Sequence, residues 1–452
     1  MGLGNIAYNA MPPGLQSLGL SAVGWYINKN RYTDKFYKEL DRFQHTRSLS
    51  RSSIRDLQGE RLERLLFDIK SRERSLQRLQ FLYGDISASL NIDNLHELPI
   101  LTKPKLRECL ARVPFRKSEG SECKLIHTSG TTGAGFIFPR PDSFEARQWA
   151  VWWRFRKNHG ISMKDKCAYF GGRTVVPPNE TKKFYRYNAA SGQVMFSAYH
   201  LTERNLTNYI EGINRHGAKW AHGYPSVITD LANLLERKGL ESSIKLDIVS
   251  TGAESLLAYQ REIIKRVFRC KVIEHYGMAE GTANASEEVD GSMSIDEDYS
   301  IVDLVKDESS HNSYRIIGTS LDNYVLPMFR YDANDLCSNP HNLNDGVRWR
   351  SVESIDGRIE DSLVLSDRSK VGRLDHIFKD LVFVNKAQLV QSEVGKCTVY
   401  IELDGPLFKN HIDEIKESFY EFVGDRLSVT VEKVQEINKT NSGKHRFVVN
   451  KI

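Results

Sequence analysis

Hydrophobic positions between residues 202 and 276 switch repeatedly between a helical and a strand period. Leu206, Tyr209, Ile210 and Ile213 share one helix face. Residues 218–222 read as a strand that ends in Gly223-Tyr224-Pro225-Ser226. Ser226 can cap a helix whose apolar face is Val227, Leu231, Leu234 and Leu235, and Gly239 suits its C-terminal end. Residues 246–250 read as the next strand. Ser255 can cap the following helix, with Leu256, Tyr259, Ile263 and Val267 along one side, and residues 271–274 read as a further strand. Such alternation predicts an α/β fold with a doubly wound parallel sheet. In sheets of that kind ligands bind beyond the carboxyl ends of the strands.

Residues 14–100 are expected to be mostly helical. Leu62, Leu65, Leu66 and Ile69, then Leu76, Leu79 and Leu82, keep an apolar stripe on an Arg- and Glu-rich background that fits a solvated face. Leu15, Leu18, Leu20 and Trp25-Tyr26-Ile27 outline an amphipathic segment. Its polar side is poor in Lys and Arg, so packing on the main body is expected rather than a membrane surface. Residues 143–158 predict a helix loaded with Trp149, Trp152, Trp153 and Phe155, by default a core stripe. Residues 167–170 read as a strand ending at Gly171-Gly172-Arg173, where Arg173 can bind an anionic substrate group or serve a structural salt bridge. Beyond residue 358, a strand at 396–402, a helix with Ile412, Ile415, Phe419 and Phe422, and a strand at 427–434 outline a small α+β domain. The expected division is a large core over 1–357, with a helical extension over 1–100, and a C-terminal lid over 358–452.

Composition narrows the classes without choosing among them. The 452 residues exceed one ordinary domain. Lys and Arg number 63 against 58 Asp and Glu, an excess too small to argue for nucleic acid. No run of 18 apolar residues is present, so no membrane span is expected, and the start lacks the pattern of a signal peptide or a myristoylation site. The six cysteines form no C-x-x-C pair, which suits free thiols in a reducing cytoplasm rather than disulfides or a zinc site. The pattern carries no signal for an oligomeric state.

Candidate chemistry begins at residues 125–135, where four hydroxylated residues and three glycines follow an apolar strand. Thr128, Ser129, Gly130, Thr131, Thr132 and Gly133 can offer backbone N–H groups and hydroxyls to phosphate oxygens. A flexible polar turn is the plain alternative. The common P-loop, G-x-x-x-x-G-K-[ST], is absent. Three more clusters follow, the first two at strand ends. The first is Thr251-Gly252-Ala253-Glu254 and the second His275-Tyr276-Gly277-Met278-Ala279-Glu280. A tyrosine beside a glycine can stack on a purine, and a carboxylate four residues on can hold Mg²⁺. The third, residues 327–336, includes Asp335, which at a turn can accept both hydroxyls of a ribose. Singly, each can also be a turn or an Asp cap.

In this order the clusters resemble the signature motifs of the adenylate-forming (acyl-CoA synthetase) superfamily. The match spans residues about 125 to 446. Thr128–Gly133 resembles the phosphate loop, and residues 276–280 resemble Tyr-Gly-x-x-Glu, with the tyrosine on adenine and Glu280 on the metal. Asp335 resembles the ribose-binding aspartate. Arg358 with Glu360 resembles the Gly-Arg-x-Asp-Asp hinge, and residues 438–444 resemble Pro-Lys-Thr-x-Ser-Gly-Lys, with Lys444 as the catalytic lysine. Within the superfamily the chain is similar to the phenylacetate–CoA ligase branch and its capsular-polysaccharide, CapK-like members. The segments at 170–173, 197–201, 222–226 and 358–361, with Gln388 and Gln391, carry that likeness.

The resemblance implies ATP and Mg²⁺ as cofactors, a small carboxylate substrate and release of pyrophosphate. Lys444 would bridge the carboxylate and the α-phosphate, Glu280 would hold Mg²⁺, and Gly252, Ala253, Glu254, Tyr276, Gly277, Asp335 and Arg358 would line the nucleotide. Glu360 would act as the hinge of a mobile lid. Arg173, His222 and Tyr224 are candidates for the acyl pocket, with a satisfied core histidine as the alternative for His222. Three acceptor readings stay open: CoA, an amine in sugar assembly, or none, in a non-catalytic nucleotide-binding scaffold. Four positions depart from the family pattern. Gly135-Phe136 replace Pro-Lys, the hinge aspartate is Glu360, Ala333-Asn334 precede Asp335, and Asn438 replaces proline. The first removes a phosphate-binding cation and implies weaker triphosphate affinity.

Overall fold

A computed structural model describes residues 3–86, 89–116, 119, 123–127, 136–171, 175–177, 179–307, 312–343, 349–358, 362–368, 370–371, 374–378, 381, 383–384, 386–403, 405–437 and 445–452. The chain divides into two compact units. One comprises residues 1–28, 163–274 and 356–452; the other comprises residues 29–162 and 275–355.

The parallel sheet expected from the alternating pattern lies in the first unit. Strands Cys167–Phe170, Gln193–Phe196, Trp220–Gly223 and Ile248–Thr251, with residues 271–274 of Lys271–Gly277, pair in parallel. Tyr185–Asn188 adds an antiparallel edge. The helices Leu206–His216, Pro225–Arg237 and Ala258–Phe268 bury Tyr209, Ile213, Val227, Leu231, Leu235, Ile264 and Val267 in one core with Ala168, Ala221 and Val249. Small residues on the central strands let these helices pack closely.

Both expected serine caps are displaced. Tyr224 is the N-cap of Pro225–Arg237, so Pro225 takes the first helical position, where its missing N–H is no loss. Ser226 therefore sits in the first turn. The next helix starts at Ala258, not after Ser255. The Leu256 N–H donates to the Glu274 carboxylate at 3.2 Å, which holds residues 252–257 out as a loop. Ala253 in that loop has φ +66, a conformation a non-glycine residue adopts at a cost of about 1–2 kcal/mol.

The C-terminal segment of this unit has a four-stranded sheet of its own, ordered Ser428–Lys433, Lys396–Glu402, Lys386–Glu393, Val448–Asn450. Helix Lys409–Val423 sinks Ile415 and Phe419 into a core with Leu389, Val399 and Ile401. The N-terminal helix Pro13–Arg31 corrects an expectation in part. The helix packs on the main body as expected, with Leu20 against Val175, Val176 and Met195, but Leu15, Leu18, Trp25 and Tyr26 are exposed, so most of the apolar stripe takes no part in that packing.

The second unit is helical over Asp34–Thr46, Arg51–Lys70, Glu73–Tyr83, Lys103–Arg112 and Asp142–Asn158. Leu62, Leu65, Leu66, Ile69, Leu79 and Leu82 are buried as their period predicts. Strands Cys123–His127 and Ile137–Pro141 form an antiparallel pair. Its remaining sheets are antiparallel among the described residues. Asn284–Glu287 pairs with residues 275–277 and with Met293–Ile295, and Ile301–Lys306, Ser313–Thr319, Tyr331–Ser338 and Ser354–Arg358 form a second sheet. The whole is a mixed α/β protein in which the parallel strand pairs lie in the first unit, and the second has one isolated parallel bridge, Leu101 with Tyr331, among the described residues. Among the described residues no helix is long and apolar enough to cross a membrane, and the six cysteines are free thiols.

Candidate functional site

In the first unit the register sets three candidate loops side by side. Phe170, Gly223, Thr251 and Glu274 form one row across the parallel strands. The segments that begin at Gly171, Tyr224 and Gly252 therefore leave the same carboxyl edge. Gly223 is required in that row, because a Cβ there would lie 2.2 Å from the Phe170 carbonyl oxygen. The Gly252 N–H donates to the Gly223 carbonyl at 3.3 Å and the Tyr224 N–H to the Phe170 carbonyl at 2.9 Å, which carries the register into the loops.

His222 is half-buried beside Tyr169 and Trp220. Its Nδ1 lies 3.0 Å from the Ser250 carbonyl, so that nitrogen is the donor and the tautomer is fixed. Glu254 has a role the sequence did not reveal. Its carboxylate accepts the Ser226 N–H at 3.3 Å and the His445 N–H at 3.2 Å. It thereby joins the N-terminus of helix Pro225–Arg237 to the residue that follows Lys444. A second tie runs from the same helix to the C-terminal sheet: Lys386 Nζ lies 2.5 Å from Asp230 Oδ1 and 4.0 Å from Glu402 Oε2. No sequence signal marked that pair, since one charge in each of two elements far apart in the chain looks like any solvated side chain.

In the second unit Tyr276 meets Asp335, and Glu280 meets Tyr331 of the same strand. Asp335 is buried in strand Tyr331–Ser338, not at a turn. The turn character lies just before it, where Asn334 takes φ +63 and its N–H donates to Asp332 Oδ1 at 2.7 Å. The Tyr276 hydroxyl donates to Asp335 Oδ2 at 2.6 Å, so this tyrosine orients the carboxylate as well as offering a ring face. Glu280 is buried in the turn after the strand, with the Tyr331 hydroxyl 3.5 Å from its Oε1. Gly277 is needed for close approach, because a Cβ there would lie 2.5 Å from Asn284 Oδ1.

That approach rests on a buried network. Trp152 Nε1 donates to Asn284 Oδ1 at 3.0 Å, and the Asn284 amide donates to Asp296. Arg154 holds Asp296 and Asp298 at 2.5 Å each. Burial opposes the Arg154 charge, but the two carboxylates outweigh it and hold the guanidinium above its ordinary value. His275 packs between Trp152 and Phe155, with ring centres 5.5 and 5.4 Å away. The Trp-rich helix is thus a core element, as expected, and also braces the strand that carries Tyr276. One sequence feature could have flagged the network. Asp296-Glu297-Asp298 lie together between Ile295 and Tyr299, and all three acids are buried.

Thr128–Gly133, Arg173, Glu360 and Lys444 lie outside the described residues. Arg358 ends strand Ser354–Arg358, and the phosphate-loop candidate is flanked by the hairpin pair His127 and Ile137. Among the described residues no three His, Cys, Asp or Glu side chains cluster as a metal site. A single buried carboxylate such as Glu280 still fits Mg²⁺, which is commonly held by one or two carboxylates together with substrate phosphates.

Residues 363–451 match the family profile described as the CapK C-terminal domain. Over 99% of its length the chain is 27% identical to Protein CapK of Staphylococcus aureus, 99% of which is covered. The fold is similar to that of a 2-hydroxyisobutyryl-CoA ligase solved in the postadenylation state, with 16% identity, a TM-score of 0.58, and 91% of this chain and 89% of that one covered. It is also similar to an anthranilate CoA ligase solved with anthranoyl-AMP, with 16% identity, a TM-score of 0.50 and coverage of 71% and 65%. The chain thus resembles Protein CapK along nearly its whole length, matches the CapK C-terminal domain over residues 363–451, and shares its fold with these two CoA ligases.

Proposed function

We propose that this protein activates a small carboxylic acid with ATP. In this reading a substrate carboxylate oxygen attacks the α-phosphate, the bond to the β-phosphate breaks, and pyrophosphate leaves as the acyl-adenylate forms. The observation that carries the reading is the Tyr276–Asp335 hydrogen bond, with buried Glu280 against Tyr331 of the same strand as Asp335. It gives an oriented carboxylate for ribose hydroxyls, an aromatic face for the base and a second carboxylate for Mg²⁺. The metal would neutralise phosphate charge when bound.

Both reactants are anions, so positioning and electrostatics carry the catalysis. The Thr128–Gly133 backbone and hydroxyls serve the phosphates, with Gly252, Ala253 and Arg358 on the nucleotide. Lys444 meets the charge that spreads over the carboxylate and the α-phosphate. Glu254 serves that lysine's loop through the His445 N–H rather than the nucleotide directly. Arg173, His222 and Tyr224 face the acyl group. Residues 358–452 act as a lid that hinges at Glu360 and withdraws Lys444 after adenylation, as lids elsewhere gate successive steps.

CoA is the proposed acceptor, its thiol displacing AMP to give a thioester. Two proteins that share the fold are named as CoA ligases, which puts CoA ahead of an amine. The likeness to CapK-like members suits a cytoplasmic step in surface-polysaccharide assembly.

The test is ATP–pyrophosphate exchange across a carboxylic-acid panel that includes amino acids and aryl acetates. Carboxylate-dependent exchange is expected, and Lys444→Ala should lower it by roughly 10²–10³. ATP binding with no exchange for any acid would favour a non-catalytic scaffold. Product masses after adding CoA, then amines, identify the acceptor.

A further inference from the structure

Residues 1–28 contain no Asp, Glu, Lys, Arg or His, in a chain that is 27% charged. Most of this stretch is helix Pro13–Arg31, and the helix is turned inside out. Apart from Leu20, which packs with Val175, Val176 and Met195, and half-buried Ile27, its inward side is polar or small. Arg186, fully buried, donates to Gln16 Oε1 at 2.5 Å; the Tyr187 N–H donates to Ser17 Oγ at 3.2 Å, and the Ala189 N–H to Ser21 Oγ at 3.0 Å. Gly24 lies against Asn188, and the Asn28 amide donates to the Ala190 carbonyl at 2.8 Å. The outward side is apolar: Met11, Leu15, Leu18, Trp25 and Tyr26 are 43–67% exposed along one stripe. A surface helix of a globular protein normally does the reverse.

We propose that this outward stripe docks into the interfacial layer of a lipid bilayer with anionic headgroups. Three observations choose lipid over another protein. Trp25 and Tyr26 stand at the C-terminal end of the stripe, and amphipathic aromatic rings favour the headgroup level. Exposed Lys29 follows on the same helix, and Asp34 is the only carboxylate in the first 38 residues. Basic side chains beside an apolar stripe add attraction to anionic lipid, worth about 1 kcal/mol each near the surface. The inward hydrogen bonds also fix the helix on strand Tyr185–Asn188 and the turn after it, so the stripe is presented without ordering a loose segment. Docking of this kind would lie along the membrane and needs no span. It stands independently of the proposed ligase reaction.

The experiment is co-sedimentation of the full chain with vesicles of phosphatidylcholine and phosphatidylglycerol, with phosphatidylcholine vesicles alone in parallel. The chain should sediment with the mixed vesicles, more weakly with the neutral ones, and its tryptophan emission should shift to the blue. The double variant Leu18→Glu, Trp25→Glu should lose at least roughly tenfold in bound fraction, given the apolar area removed. Both side chains are exposed, so its thermal midpoint should match the parent's. A parent chain that stays in the supernatant, or a variant that binds as well as the parent, refutes the proposal. So does a soluble dimer that the double variant converts to monomer without any vesicle binding, since that would assign the stripe to a second copy.

Discussion

The two units hold their candidate ligand loops by different physical means. In the unit of residues 29–162 and 275–355, the strand bearing Tyr276 is backed by fully buried charge. Arg154 clamps Asp296 and Asp298, Asp296 holds Asn284, and Asn284 meets both Trp152 and Gly277. In the other unit, the loop 251–254 hangs on a half-buried carboxylate that accepts two N–H groups at 3.2–3.3 Å. The C-terminal sheet meets helix Pro225–Arg237 through the ion pair Lys386–Asp230. A buried network with every member engaged fixes one geometry, because breaking any bond strands a charge away from water. The two longer bonds to half-buried Glu254 exchange for water at smaller cost. The first arrangement suits a surface held in one geometry, the second a loop that can be released at smaller cost.

Removing the clamp should give the largest effect. Arg154→Met leaves two buried carboxylates without their cation, and a loss of about 3–5 kcal/mol is expected in denaturant unfolding. A loss below about 1 kcal/mol would erase the contrast between the units.

Lys386→Met should cost less, about 1–3 kcal/mol, because Asp230 keeps some access to water. The readout is faster amide hydrogen exchange in residues 225–237 and 386–393, and unchanged exchange there would mean that the pair does not secure the sheet. The same contact has a predictable pH dependence. Burial disfavours the Lys386 charge, but Asp230 and Glu402 outweigh it and hold the ammonium above the ordinary value of 10.5. A raised pKa in the folded state means that the contribution is complete below 10.5 and is lost as pH climbs through the folded value. Exchange in these segments should thus stay slow at neutral pH and quicken only in strong alkali.

Tyr276→Phe should have the smallest effect. It keeps the ring and removes only the hydroxyl that orients Asp335. About tenfold weaker ATP binding by calorimetry is expected, equivalent to about 1.4 kcal/mol, with little change in stability. Equal affinity in the variant would show that Asp335 needs no such partner.

How much could be read in advance differs by residue. The strands at 167–170 and 396–402 were legible to the residue, since each is a short apolar or alternating run with clear ends. The caps were not. Ser226 and Ser255 are good capping residues, but Pro225 and the Leu256–Glu274 hydrogen bond moved both helix starts. Those two causes differ in kind: proline acts on its own backbone, whereas the Glu274 carboxylate comes from another strand.

By itself the sequence determined the mixed α/β class, the buried leucine stripe of the early helices and the ordered motifs that carry the family resemblance. These follow from local chemistry: periodicity, side-chain shape and the freedom of glycine. Only the tertiary structure decided which polar groups meet. Tyr276 with Asp335, Glu254 with His445 and Arg154 with its two acids are pairings across 59, 191 and 142 to 144 positions. It also decided which way the first long helix faces. An amphipathic pattern fixes that a helix has two sides, but what each side meets depends on the partner surface, and here buried Arg186 drew the polar side inward.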